Sequence, residues 1–228
     1  MISVARMPKW DFEAQPALEV LSRQNARIVF ISYPNNPTGN CFARAEIQNL
    51  IENFEGIVVL DEAYYDFSGQ TFIDQMNDHN NLVILRSLSK IGLAGLRVGY
   101  GIFPRVLVDE INKIRLPYNS NSVTQLAATE LLNNFSLVQK QIDSIKKERK
   151  RLLKELAKIK AIKAYPSDSN FILFQATKNG EKVFRKLMEN GILVRNLGSH
   201  PMLKNCLRVT IGTKAENDQF LDQLKKAI

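Results

Sequence analysis

Between residues 27 and 102 the sequence is built on short, almost wholly apolar runs that end beside a polar or charged side chain. They are RIVFIS at 27–32, IVVLD at 57–61 and LVILR at 82–86, with VGYGI at 98–102 as a fourth. A strand with one wet face alternates apolar and polar residues. Runs that are apolar throughout suit a parallel sheet covered on both faces. The stretches between them fit the crossovers that parallel strands require. Residues 33–40 (YPNNPTGN) read as a turn and 43–54 as a helix. The expectation is an α/β fold with a mostly parallel sheet flanked by helices.

After Pro117 the pattern changes. Residues 122–133 read as a helix, 171–175 (FILFQ), 192–195 and 206–211 (CLRVTI) as strands, 180–190 as a helix, and the chain from Ala215 as a last one. This predicts a large domain over 1–133 and a small α+β domain over 134–228, joined by a long helix at its start. The net charge of +8 is concentrated in residues 140–163, with Lys146, Lys147, Arg149, Lys150, Arg151, Lys154, Lys158 and Lys160. The same stretch spaces Ile142, Ile145, Leu152, Leu153, Leu156 and Ile159 as one helical stripe. A surface helix with a basic outer face accounts for both. No aromatic residue interleaves the lysines to stack on bases, so no nucleic-acid partner is expected. No apolar run is long enough to span a bilayer, and residues 1–10 lack the apolar centre of a signal peptide. Two cysteines, Cys41 and Cys206, make neither a disulfide framework nor a metal-ligand spacing. The expected setting is the cytoplasm, with no membrane and no metal.

Polar residues with chemical potential cluster where strands end, the place where open parallel sheets bind ligands. Asp61 closes one run and is followed by Glu62, Ala63 and Tyr64. A carboxylate there can ligate a metal, act as a base, pair with a cationic cofactor nitrogen, or simply cap the strand. Lys90 follows the next run in RSLSK, and Arg97 follows in GLAGLR. A lysine leaving a strand into a glycine-containing turn can project into a cleft as a nucleophile, or can be a solvated loop residue. Ser87, Ser89 and Arg97 offer two hydroxyls and a guanidinium, a set suited to a phosphate dianion.

Taken in order, NNPTG at 35–39, DEAY at 61–64, SLSK at 87–90 and the downstream Arg97 resemble the class I/II aminotransferases, pyridoxal-phosphate (PLP) enzymes of fold type I. NFILF at 170–174, GILVR at 191–195 and CLRVTIGT at 206–213 extend the resemblance through the small domain, most closely to the histidinol-phosphate aminotransferases. The resemblance implies PLP as cofactor, held covalently by Lys90. It implies that Asp61 pairs with the pyridine nitrogen and that Tyr64 and Asn36 donate to the phenolic oxygen. Ser87, Ser89 and Arg97 would hold the phosphate. Arg195, Arg208 and Asn170 would bind substrate, a phosphorylated amino alcohol or an amino acid, with a 2-oxo acid as acceptor. The same resemblance implies a homodimer at full length and a cis bond at Asn36–Pro37. Other members of the fold, an aromatic aminotransferase or a threonine-phosphate decarboxylase-like enzyme, carry the same motifs, as would an inactive fragment.

In this family a sizeable segment precedes the NNPTG strand. It carries the first strand, a glycine turn that cups the phosphate, an aromatic stacked on the cofactor ring, and a tyrosine reaching the partner's cofactor. Only 26 residues precede Arg27, so none of these can be placed here; a shortened gene model or a real truncation would account for that, and a truncated form would leave a sheet edge and apolar surface bare.

Overall fold

β1 (Ile28–Ser32), β2 (Ile57–Asp61) and β3 (Leu82–Ser87) pair in parallel in the computed structural model, which describes residues 10–228. β4 (Gly99–Ile102) completes the sheet antiparallel to β3, in the order β1-β2-β3-β4. The register sets Ser32 beside Asp61 and Asp61 beside Leu85, so the polar ends of the apolar runs line up at one edge of the sheet. This sheet belongs to a unit that takes in the described residues up to Asn35 together with Cys41–Val138. A second unit comprises Asn36–Asn40 and Gln139–Ile228.

In the first unit α1 (Ala14–Arg23) and α2 (Arg44–Asn53) lie in the same core as the sheet. Ala14, Ala17 and Leu21 fall one helical turn apart and bury against the cluster of Ile47, Leu50 and Ile51 from α2. The Ala14 amide, an orphan donor at the start of α1, bonds the Glu46 carboxylate at 2.7 Å. A short helix α3 (Tyr65–Ser68) follows β2, and α4 (Arg105–Ile114) and α5 (Ser122–Asn133) follow β4.

Two sequence expectations change here. β1 is not covered on both faces: Ile31 is buried, but Ile28 and Phe30 are 50% and 70% exposed. Alternate residues point to opposite sides of a strand, so the side that carries Ile28 and Phe30 is the less covered one. α1 and α4 are additional helices. α4 buries none of its residues, leaving Val106 and Ile114 in solvent.

The second unit is an antiparallel sheet of β5 (Ile162–Ala164), β6 (Phe171–Ala176), β7 (Arg195–Asn196) and β8 (Cys206–Thr210), in the order β5-β6-β8-β7. α6 (Phe135–Leu156), α7 (Gly180–Glu189) and α8 (Lys214–Ala227) supply its helical layer. Leu152 and Leu156 of α6 join Ile172, Phe174, Leu207 and Leu224 in one core. Full burial of each such side chain stabilises by roughly 1.5–3 kcal/mol. The basic helix stops at Leu156, seven residues before the sequence pattern suggests. Lys158 and Lys160 therefore lie in a turn and Lys163 on β5. Ile159 and Ile162 are buried as the stripe requires, but Ile162 pairs with Ala176 as a strand residue. β7 is also shorter than expected and begins at Arg195.

A polar network ties α6 to the start of α8. The Glu148 carboxylate accepts from Arg151 at 2.8 Å and from the Asn217 amide at 2.9 Å, and Arg151 also donates to Asp218 at 2.6 Å. The Arg151 bond, aided by Asn217, holds the Glu148 carboxyl below its ordinary 4.5 against the opposing effect of burial. A depressed folded pKa means a contribution complete above about pH 4.5 and lost as pH falls through the folded value. Glu148→Gln should therefore cost about 1–3 kcal/mol at neutral pH and flatten the acid limb of stability. Thermal melts of both proteins between pH 3 and 7 test this; parallel acid limbs would refute it.

Candidate active site

Within the first unit the strand ends deliver the residues singled out from the sequence. Asp61 is the last residue of β2, half-buried, and its Oδ1 accepts the Ala63 amide at 3.0 Å. That bond turns the chain out of the strand and places Tyr64 at the start of α3. Asp61 thus does cap the strand end, and the cap uses one carboxylate oxygen. Ser87 ends β3, and its Oγ accepts the Ser89 amide at 3.1 Å, which winds residues Leu88–Ile91 into a 3-10 turn. The turn carries Lys90, whose Nζ stands 5.3 Å from the centroid of the buried Tyr64 ring. A carboxylate, a phenol and an amine therefore come from two adjacent strand ends.

Arg97 follows at the end of a second short turn, with φ of 54°. A side chain other than glycine pays roughly 1–2 kcal/mol for that left-handed conformation. Such strain is tolerated where a side chain must be aimed. Arg97 is exposed.

The second unit holds the other group. Arg195 on β7 and Arg208 on β8 are direct cross-strand partners, a relation that a separation of thirteen positions in sequence does not announce. Side chains opposite each other in antiparallel strands stand about 4.5–5.5 Å apart at Cβ and share a face, and like charges so placed repel. Arg208 lies over the Phe171 ring at 4.7 Å and donates to the Asn36 side-chain oxygen. Asn170 precedes β6, and its carbonyl accepts the Ile211 amide at 2.9 Å. Phe171 had no assigned role from sequence; its position next to Asn170 was the available signal.

Asn36 belongs to this unit because the NNPTG turn is fastened there. The Gly39 carbonyl accepts the Asp168 amide at 2.7 Å, with Ser169 Oγ at 3.4 Å. Gly39 has φ of +85°, and a Cβ on it would stand 2.6 Å from Ser167 Oγ. Only glycine meets both conditions. Gly39→Ala should destabilise this unit by on the order of 2–4 kcal/mol, read as a fall in denaturation midpoint; an unchanged midpoint would refute it. Asn36–Pro37 is cis, as expected, and so is Tyr33–Pro34.

No group of three or more His, Cys, Asp or Glu side chains suited to a metal occurs among the described residues. Nor is any described helix long and apolar enough to cross a membrane. The carboxylate of Asp61, the amine of Lys90 and the hydroxyls of Ser87 and Ser89, with the Arg97 guanidinium further along the chain, are group types that an organic, anionic cofactor could use.

Known proteins match this chain over nearly all of its length. The model of the family described as aminotransferase class I and II matches residues 2–224. Histidinol-phosphate aminotransferase of Neisseria gonorrhoeae (strain NCCP11945) is 45% identical over 210 residues, 92% of this chain and 58% of that protein. The crystal structure of the histidinol-phosphate aminotransferase from Clostridium acetobutylicum superposes with a TM-score of 0.88 at 26% identity, covering 96% of this chain and 68% of that one. The enzyme from Sinorhizobium meliloti, in complex with pyridoxal-5'-phosphate, gives 0.82 at 27% identity, over 94% and 61%. The chain thus spans about 58% of the length of the curated Neisseria relative. With two sheets, the strand-end residues and the NNPTG turn all accounted for, the chain belongs to the class I and II aminotransferase family.

Proposed function

We propose that this chain is the cofactor-anchoring and substrate-selecting part of a PLP-dependent histidinol-phosphate aminotransferase. In full-length form it would exchange histidinol phosphate and 2-oxoglutarate for imidazole-acetol phosphate and glutamate, a step of histidine biosynthesis. The observation that carries the substrate assignment is the cross-strand pairing of Arg195 with Arg208. Two guanidiniums on one face repel unless an anion lies between them. A phosphate dianion can take charge-assisted bonds from both, whereas one carboxylate saturates a single fork.

Bound PLP supplies an electron sink for the substrate's α-carbon. This chain's residues do the rest. Lys90 contributes the amine that holds the cofactor and then carries the proton. Asp61 keeps the ring nitrogen protonated. Tyr64 donates from its phenol to the phenolic oxygen, and the amide nitrogen of Asn36 suits the same oxygen while its carbonyl oxygen takes Arg208. Ser87 and Ser89 donate hydroxyl hydrogen bonds to the phosphate, and Arg97 offsets its charge. Arg195, Arg208 and Asn170 orient the substrate. A homodimer at full length and a cytoplasmic setting belong to the same reading.

The experiment is a pair of titrations on the protein at the relatives' full length. Arg195→Ala and Arg208→Lys should each raise KM for histidinol phosphate about tenfold or more, with PLP affinity retained. Arg97→Ala should weaken PLP first. If Arg195→Ala leaves phosphate substrates untouched and an unphosphorylated amino acid is the better donor, the histidinol-phosphate assignment falls.

A further inference from the structure

Directly after Asp61 stands Glu62, a carboxylate whose side chain is wholly buried. It accepts from Arg86 Nη2 at 2.9 Å and Nε at 3.2 Å, from Thr71 Oγ1 at 2.8 Å and from the Phe72 amide at 2.9 Å. Arg86, 13% exposed at its side chain, also donates to Thr71 Oγ1 at 2.8 Å and stacks its guanidinium 3.7 Å from the Tyr65 ring centroid. Burial works against the charge on Arg86, but Glu62 and Tyr100 more than offset it, and its pKa is raised. Every strong partner in this cluster is satisfied, and none of its groups has a place in the chemistry assigned above.

Its place in the sheet gives it one. Asp61 pairs with Leu85, and the Glu62 amide donates to the Leu85 carbonyl at 2.8 Å, the last backbone bond between β2 and β3. One residue further on β2 has ended, while β3 runs on to Ser87 beside β4. The Glu62–Arg86 pair spans them at that point. It sits one residue after Asp61, one before Ser87 and four before Lys90. Side chains alternate across a strand, so Asp61 and Ser87 project to one face and the ion pair to the other.

Resting on the PLP reading, we propose that Glu62 and Arg86 are positioning residues. Their buried, Thr71-bridged ion pair fixes the separation of the two strand ends, and so holds the Asp61 carboxylate and the turn that carries the Lys90 amine in a constant relation to each other. An arginine is required because its fork meets Glu62 and Thr71 while its plane stacks on Tyr65; lysine supplies the charge alone.

Three variants of the chain test this: Glu62→Gln, Arg86→Lys, and the double Glu62→Leu/Arg86→Met, which replaces the pair by apolar volume and can restore stability. Two readouts are needed. Amide exchange on the PLP-free chain should quicken about tenfold or more at Glu62, Phe72 and Leu88 in the single variants, with Val58 to Leu60 unchanged. PLP titration followed by near-visible absorbance should show affinity about tenfold weaker or worse in all three, including the double variant when its melting temperature is restored. A double variant that regains both stability and PLP affinity would reduce the pair to a structural role and overturn the proposal. So would unchanged local exchange in the single variants. If the parent takes up no PLP at Lys90, even when extended to the relatives' length, while exchange still responds, the cofactor reading has failed and the positioning role with it. That pattern is distinct from the other two.

Discussion

Lys90→Ala should leave a folded chain that forms no borohydride-stable bond to PLP and, at the relatives' full length, catalyses no transamination. The local fold does not depend on the amine. The 3-10 turn that carries Lys90 is wound by the Ser89 amide on Ser87 Oγ and closed by Gly92 at φ of +102°, and alanine leaves both in place. What alanine removes is the amine held 5.3 Å from the Tyr64 ring, within the range of a cation–π contact. Loss of a covalent anchor that also transfers the proton should lower the rate by more than about a thousandfold, roughly 4 kcal/mol of barrier. The check is reduction with borohydride in the presence of PLP, digestion, and mass analysis of the peptide spanning residues 86–97. It should be run on the chain as it stands and on the extended protein. A labelled peptide elsewhere, or a labelled Lys90→Ala variant, would remove Lys90 from its role.

Much of the site was legible because it lies where sequence patterns change. Strand ends are visible as the point where an apolar run meets a charge, and Asp61, Ser87 and Lys90 fall at or just past two of them. The NNPTG turn was legible through its proline and glycine. Pairing across strands was not: Arg195 opposite Arg208, and Glu62 with Arg86, depend on register, which neither periodicity nor spacing encodes. The membership of Asn36–Asn40 in the second unit was hidden for the same reason, since Ser167 and Ser169 lie far along the chain. The end of α6 was misplaced because no glycine or proline marks it. Ile159 and Ile162 continue the stripe of Leu152 and Leu156, so a helix and a turn into a strand bury the same residues. α4 was overlooked for the opposite reason. Its apolar positions have helical spacing, but none is buried within the described residues, and a short segment after Pro104 gave no cap to start from.

Asp61→Asn separates the two things that Asp61 can do at the end of β2. As a strand-end cap it accepts the Ala63 amide through Oδ1, and asparagine presents an oxygen at the same position. The turn into α3, the place of Tyr64 and the fold should survive the substitution. As the partner of a protonated ring nitrogen, by contrast, it needs its charge. A neutral amide cannot favour the protonated ring, and breaking one side of a buried charge pair typically costs about 3–5 kcal/mol. Expressed as barrier height that is roughly two to four orders of magnitude in rate. The variant should therefore keep its melting temperature and still take up PLP through Lys90, while the extended protein loses most of its turnover. Melting, absorbance with added PLP, and initial rates with histidinol phosphate read the three separately. A variant that turns over within about tenfold of the parent, a difference of only 1.4 kcal/mol, would leave Asp61 with the cap alone, and the search for the group that holds the ring nitrogen would have to move elsewhere on the sheet edge.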